Sequence, residues 1–157
     1  MKLRNHQLNA VNKFCEYYFD NNETKGILSM CCASGKTYTF YKIMQECINQ
    51  NDDHLFIYVT PRILLVQSIV KNIIEWSYQN HLDIDILIKV SDFNIDNVET
   101  ELKQKFKNDS LFSKDFQNRK TNNIVGLGEK PDIIDTLKSR HLYDRKKIII
   151  ITTYDSI

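Results

Sequence analysis

Apolar positions recur at helical spacing from the start of the chain. Leu8, Val11, Phe14, Cys15, Tyr18 and Phe19 share one face, which predicts an amphipathic helix over residues 6–21, ended by Asp20-Asn21-Asn22. Gly26 to Met30 (Gly-Ile-Leu-Ser-Met) reads as a short buried strand. Small residues from Cys31 to Gly35 form a loop. Phe40, Ile43, Met44 and Cys47 then place a second helix over residues 36–48, closed by a turn at 49–53. Leu55 to Val59 predicts another strand. Pro61 suits the first turn of the helix that Ile63 to Trp76 continues. Ile84 to Val90 and Lys147 to Thr152 are strands, with a helix over residues 132–140 between them. Strands alternating with helices predict an α/β fold with a mostly parallel sheet.

Residues 92–131 break this rhythm. They are rich in Asn, Asp and Lys, with Val98, Leu102 and Phe106 spaced four apart. Part of the stretch is expected to be helical, and the whole reads as a polar surface insertion. Lys103, Lys105 and Lys107 alternate within it and read as a solvated helix face rather than a nucleic-acid track. Trp76 and Tyr78 read as packing residues. The scattered His6, His54, His81 and His141 suggest no metal or catalytic set.

The 157 residues suffice for one domain with a core, and a formal net charge of +1 excludes a strongly basic nucleic-acid binder while leaving room for a local basic face. Cys15, Cys31, Cys32 and Cys47 have neither C-x-x-C nor zinc spacing, so free thiols are expected. The N-terminus carries no signal-like apolar run, and the longest apolar runs are far too short to span a bilayer. The expectation is a soluble intracellular protein.

The chemistry concentrates in Met30-Cys31-Cys32-Ala33-Ser34-Gly35-Lys36-Thr37. A tight loop of small residues between a strand and a helix turns backbone N–H groups into an anion-binding nest, and the helix adds its positive end. Gly35 permits close approach of a phosphate, Lys36 supplies a point charge to the β- and γ-phosphates, and the Thr37 hydroxyl suits Mg²⁺. The strict phosphate-loop pattern has glycine where Met30 stands, and Ala33 occupies a position where glycine is common.

With these residues in place, the chain resembles superfamily-two helicases and translocases, in the branch similar to type III restriction-enzyme motor subunits. Residues 30–37 resemble their motif I, in which Met often replaces the first glycine in this branch. Leu3-Arg4-Asn5-His6-Gln7 resembles the opening Leu-Arg-x-x-Gln motif. Val59-Thr60-Pro61-Arg62-Ile63-Leu64-Leu65-Val66-Gln67 resembles motif Ia, and Ile150 to Ser156 resembles the Thr-Tyr-Gln-Ser segment upstream of the acidic motif. Lys89-Val90-Ser91-Asp92 is similar to a strand ending of the same branch.

The resemblance implies a RecA-like phosphate-loop sandwich and an ATP- and Mg²⁺-dependent motor on DNA or RNA. It implies that Gln7 reads the adenine edge and that Cys32, Ala33, Ser34, Gly35, Lys36 and Thr37 hold the nucleotide, with Lys36 and Thr37 serving catalysis. It further implies that Thr60, Pro61, Arg62, Thr152 and Thr153 touch the nucleic-acid backbone. The acidic pair of the family and its second RecA-like domain are not matched within these residues. The expectation is therefore the front portion of a first motor domain, binding nucleotide weakly and turning it over negligibly by itself. With the acidic-motif strand missing from the sheet, marginal stability or self-association is expected.

Two other classes fit less well. A non-catalytic remnant or regulatory piece of a split helicase gene would keep the fold without the activity. An unrelated phosphate-loop kinase would need clustered arginines, whereas Arg4, Arg62, Arg119, Arg140 and Arg145 are dispersed.

Overall fold

Four consecutive isoleucines, Ile148 to Ile151, lie at the centre of a four-stranded sheet. The computed structural model of the protein describes residues 3–23, 25–50, 54–91, 93–127, 133–139 and 147–154. Residues 51–53, Asp92, Asp132, Arg140, His141, Arg145 and 155–157, on which some of the sequence readings fall, lie outside the described residues. The chain divides into two compact units, Met1–Asp52 and Asp53–Ile157.

The second unit holds the sheet. Its strands are β1 (His54–Thr60), β2 (Asp85–Lys89), β3 (Ile124–Gly126) and β4 (Lys147–Thr153). They are all parallel, in the order β1-β4-β2-β3. β4 is flanked on both sides, which leaves Ile148 to Thr153 buried. Ile148 and Ile150 join Leu87, Val125 and Leu127 in one cluster, with Ile133 packed against it. Ile86, Ile88, Ile149 and Ile151 alternate with these and are also buried, so the sheet is covered on both faces. Two-sided burial is why β4 is a continuous apolar run instead of an alternating one. Each such isoleucine contributes about 1.5–3 kcal/mol through removal from water. β1 is an edge strand, and Leu55 and Ile57 on it are exposed.

α3 (Ile63–Gln79) buries Val66, Ile69, Val70, Ile73 and Ile74, a stripe at helical spacing, and packs on β4 and β1. The polar stretch read as an insertion contributes two helices and the third strand. α4 (Ile95–Lys105) starts at Asn94, whose side chain accepts from the Asp96 N–H at 2.8 Å. α5 (Ser110–Asn122) starts at Asp109, which accepts from the N–H groups of Leu111 and Phe112 at 3.0 and 3.1 Å. α4 buries Val98 and Leu102; Phe112 and Phe116 on α5 are fully buried. Tyr78 meets Phe112 edge-on at 4.8 Å, and Phe106 stacks on Phe112 at 4.3 Å. Trp76 is buried. The segment thus belongs to the core it was expected to decorate. α6 (Ile133–Ser139) precedes β4.

The first unit is helical. α1 (Asn5–Cys15) runs into a π-helical turn over Glu16–Asp20, where Phe14, Tyr18 and Phe19 form a ring cluster, and packs on α2 (Lys36–Gln50). The strand expected at residues 26–30 is absent: the segment has no regular structure, and Ile27 is 98% exposed. An apolar run becomes a strand only where another backbone satisfies its N–H and C=O groups. Among the described residues, the strands are β1 to β4 and Gly26 to Met30 is not one of them.

Candidate nucleotide site

The loop before α2 is shaped by its own main chain. Ser34 closes a turn on Cys31, its N–H donating to the Cys31 carbonyl at 3.3 Å and its hydroxyl to the same oxygen at 2.7 Å. Ala33 adopts φ +57° and Gly35 φ +83°. The left-handed turn at Ala33 explains why glycine is common there, since a Cβ costs roughly 1 kcal/mol in that conformation. At Gly35 a side chain is strained by the positive φ, and a Cβ 2.3 Å from Nε2 of Gln7 would push that amide aside.

Lys36 opens α2 and folds back over the loop. Its ammonium donates to the carbonyls of Met30 and Cys31 at 2.9 and 2.7 Å. The side chain is exposed, so phosphate oxygens can replace these neutral acceptors. Thr37 sits half-buried in the first turn of α2, and Cys32 and Ala33 are exposed at the loop tip. The first N–H groups of a helix have no carbonyl four residues back within it, so the start of α2 presents donors to an anion.

Gln7 on α1 reaches this loop. It is 5% exposed, and both ends of its amide are in use. Oε1 accepts from the Arg4 N–H at 2.9 Å; Nε2 donates to the carbonyls of Ser34 at 3.3 Å and Gly35 at 3.4 Å. His6, its neighbour, places a ring nitrogen 2.9 Å from the same Ser34 oxygen. The structure therefore brings Gln7 together with Ser34, Gly35 and Lys36 in one unit. It adds three participants that residue types do not reveal: His6 and the carbonyls of Met30 and Cys31.

Thr60, Pro61, Arg62, Thr152 and Thr153 lie in the sheet unit. β1 and β4 pair Val59 with Thr152 and Thr60 with Thr153, so these residues meet at the carboxyl ends of adjacent strands. In open parallel sheets that end is where ligands bind. Pro61 and Arg62 are exposed beside the start of α3. The threonine side chains are buried, and Thr152 Oγ1 donates to the Lys89 carbonyl at 3.1 Å. Tyr154, which residue type alone did not mark, is exposed just beyond them.

Three lysines of the polar stretch, Lys103, Lys105 and Lys120, are engaged in ion pairs. Lys103 pairs with Glu99 at 2.6 Å, Lys105 with Glu75, and Lys120 with both Asp96 and Glu99. Hydrogen bonds from Lys103, Lys120 and Gln117 hold the Glu99 carboxyl at about 2, well below the usual carboxylate range. The buried Cys47 thiol is pushed up to about 11 by burial and by Cys15, which keeps it neutral and unreactive. Among the described residues no group of His, Cys, Asp or Glu is arranged to hold a metal ion, and no helix is long and apolar enough to cross a membrane.

An all-parallel sheet with helical crossovers, together with a glycine–lysine–threonine loop opening a helix, defines an α/β protein of the RecA-like class. The family model described as type III restriction enzyme, res subunit, matches residues 1–157, and the chain belongs to that family of helicase-like, ATP-dependent motor domains. No curated protein and no solved structure matches the chain. Family membership sets aside the unrelated kinase.

Proposed function

We propose that residues 1–157 form part of the ATP-binding domain of a nucleic-acid helicase or translocase, in which Gly35, Lys36 and Thr37 grip the phosphates of ATP. The observation that carries this reading is the Lys36 ammonium, held over the loop by two neutral carbonyls on an exposed side. Its bonds to the carbonyls are already charge-assisted, and anionic phosphate oxygens add the attraction of a full opposite charge.

Cys32, Ala33 and Ser34 complete the cradle. Gln7 reads the adenine edge by exchanging its loop contacts for the base. The Thr37 hydroxyl is the residue of this loop that would help hold Mg²⁺ on the nucleotide, and the ion would supply neutralisation of phosphate charge. Thr60, Pro61 and Arg62, with the Thr152–Thr153 edge beside them, take the backbone of a DNA or RNA strand. Backbone contacts grip without reading sequence. The motor cycle also calls for a second RecA-like domain as partner, and turnover calls for an acidic pair to position the attacking water.

Titration with Mg–ATP tests this, with and without single-stranded nucleic acid. The native chain is expected to bind, more tightly when the strand is present. Lys36→Ala is expected to weaken binding roughly tenfold or more, the loss of a charged hydrogen-bond donor. Equal affinity of native and variant protein contradicts the proposal.

A further inference from the structure

His6 has no part in the family pattern described above, yet its ring nitrogen lies 2.9 Å from the Ser34 carbonyl. That oxygen also receives Nε2 of Gln7 at 3.3 Å, so two donors from α1 fill its two lone pairs. The Gly35 carbonyl receives Gln7 Nε2 at 3.4 Å and the N–H and hydroxyl of Thr39 at 3.0 and 3.2 Å. Consecutive carbonyls at 34 and 35 therefore converge on the same amide.

A trans peptide is planar, with its C=O and the following N–H pointing in opposite directions. Fixing the Ser34 carbonyl toward α1 turns the Gly35 N–H away from it. Fixing the Gly35 carbonyl does the same for the Lys36 N–H. Two successive N–H groups on one side of a loop are the nest that binds an anion. The orientation of the nest is thus set from behind, from α1, and of the two side chains there His6 need never touch the nucleotide.

We propose that His6 is a positioning residue for nucleotide binding: it locks the Ser34–Gly35 peptide plane so that the Gly35 N–H faces the phosphates. The inference rests on the loop being a phosphate site. It gives His6 a role distinct from that of Gln7. When the Gln7 amide moves to adenine, His6 still holds the Ser34 oxygen and keeps the nest aimed. A carbonyl accepts from either the neutral Nε2–H tautomer or the doubly protonated ring, so a donor at this place matters more than charge.

The test uses the full chain with His6→Ala, His6→Gln and Lys36→Ala, titrated with Mg–ATP and with Mg–pyrophosphate, alongside thermal unfolding. His6 is exposed, and unfolding of His6→Ala is expected to match the native chain. His6→Ala is expected to weaken both ligands roughly threefold to tenfold, the effect of one hydrogen bond. The loss is the same for both because the base is not involved. His6→Gln, whose Nε2 occupies the same reach, restores binding to within about twofold of native, which a merely structural role for the ring would not produce. Native binding by His6→Ala, or failure of His6→Gln to restore it, overturns the role of His6 while Lys36→Ala still shows the loop at work. Equal binding by the native chain and Lys36→Ala overturns the phosphate site and the inference together.

Discussion

The loop before α2 and the α4–α5 face are both rich in polar groups, and they use them in opposite ways. On the α4–α5 face the charges consume one another: Lys120 bridges Asp96 and Glu99, Lys103 takes Glu99, and Lys105 takes Glu75. What remains is a neutral lattice over an aromatic core of Tyr78, Phe106 and Phe112. In the loop a single lysine rests on neutral carbonyls, and two neighbouring carbonyls are held by Gln7 from α1. A cluster of charge is therefore a poor guide to a site. A main chain held in an unusual conformation by side chains behind it is a better one.

The sharpest separation of the two regions is expected from Gly35→Ala. A methyl there would displace the Gln7 amide and force φ +83° on alanine. Mg–ATP affinity is expected to fall more than tenfold, since the nest is distorted as a whole. The change costs about 1–2 kcal/mol in local conformation. Unchanged affinity would mean that the loop geometry is incidental.

Next in size is the pH response of the α4–α5 face. The Glu99 carboxyl is lowered from 4.5 to about 2 by Lys103 and Lys120, so folding favours its ionised form. Its contribution is full above pH 4.5 and is lost as pH falls from there toward 2. Solvent screening limits it to about 1 kcal/mol. Acid unfolding of Glu99→Gln is expected to show a shallower pH dependence over that window, with Mg–ATP affinity at neutral pH unchanged. Parallel curves for native and variant would contradict the ion-pair account.

The smallest effect concerns the nucleic-acid surface. Arg62→Ala is expected to weaken single-strand binding about threefold to tenfold and to lower the salt dependence by roughly one phosphate contact. Replacing both Lys103 and Lys105 by alanine is expected to change it less than twofold, because their ammoniums are already paired. The reverse ranking would move the strand from the β1–β4 edge to the helical face.

Much of this was legible in the residues, for identifiable reasons. β1, α3, β2 and β4 carry strong periodicity or uninterrupted β-branched runs, and each falls close to where its pattern puts it. The loop before α2 was legible as a loop because small residues precede a helical apolar pattern. Gly26 to Met30 misled because composition states a preference for strand while pairing decides it. α5 was hidden because its buried side rests on Phe112 and Phe116 amid polar residues, and β3 spans only three residues. The His6 contact was invisible because it depends on where a carbonyl 28 residues away points.

The claim beneath all of this is that the N–H groups from Gly35 to Thr37 bind a polyphosphate. The most direct measurement is the backbone amide NMR spectrum of the full chain during Mg–ATP addition. The account predicts saturable shifts centred on Gly35, Lys36 and Thr37, absent in Lys36→Ala. Shifts confined to other residues, or none at saturating nucleotide, would contradict it.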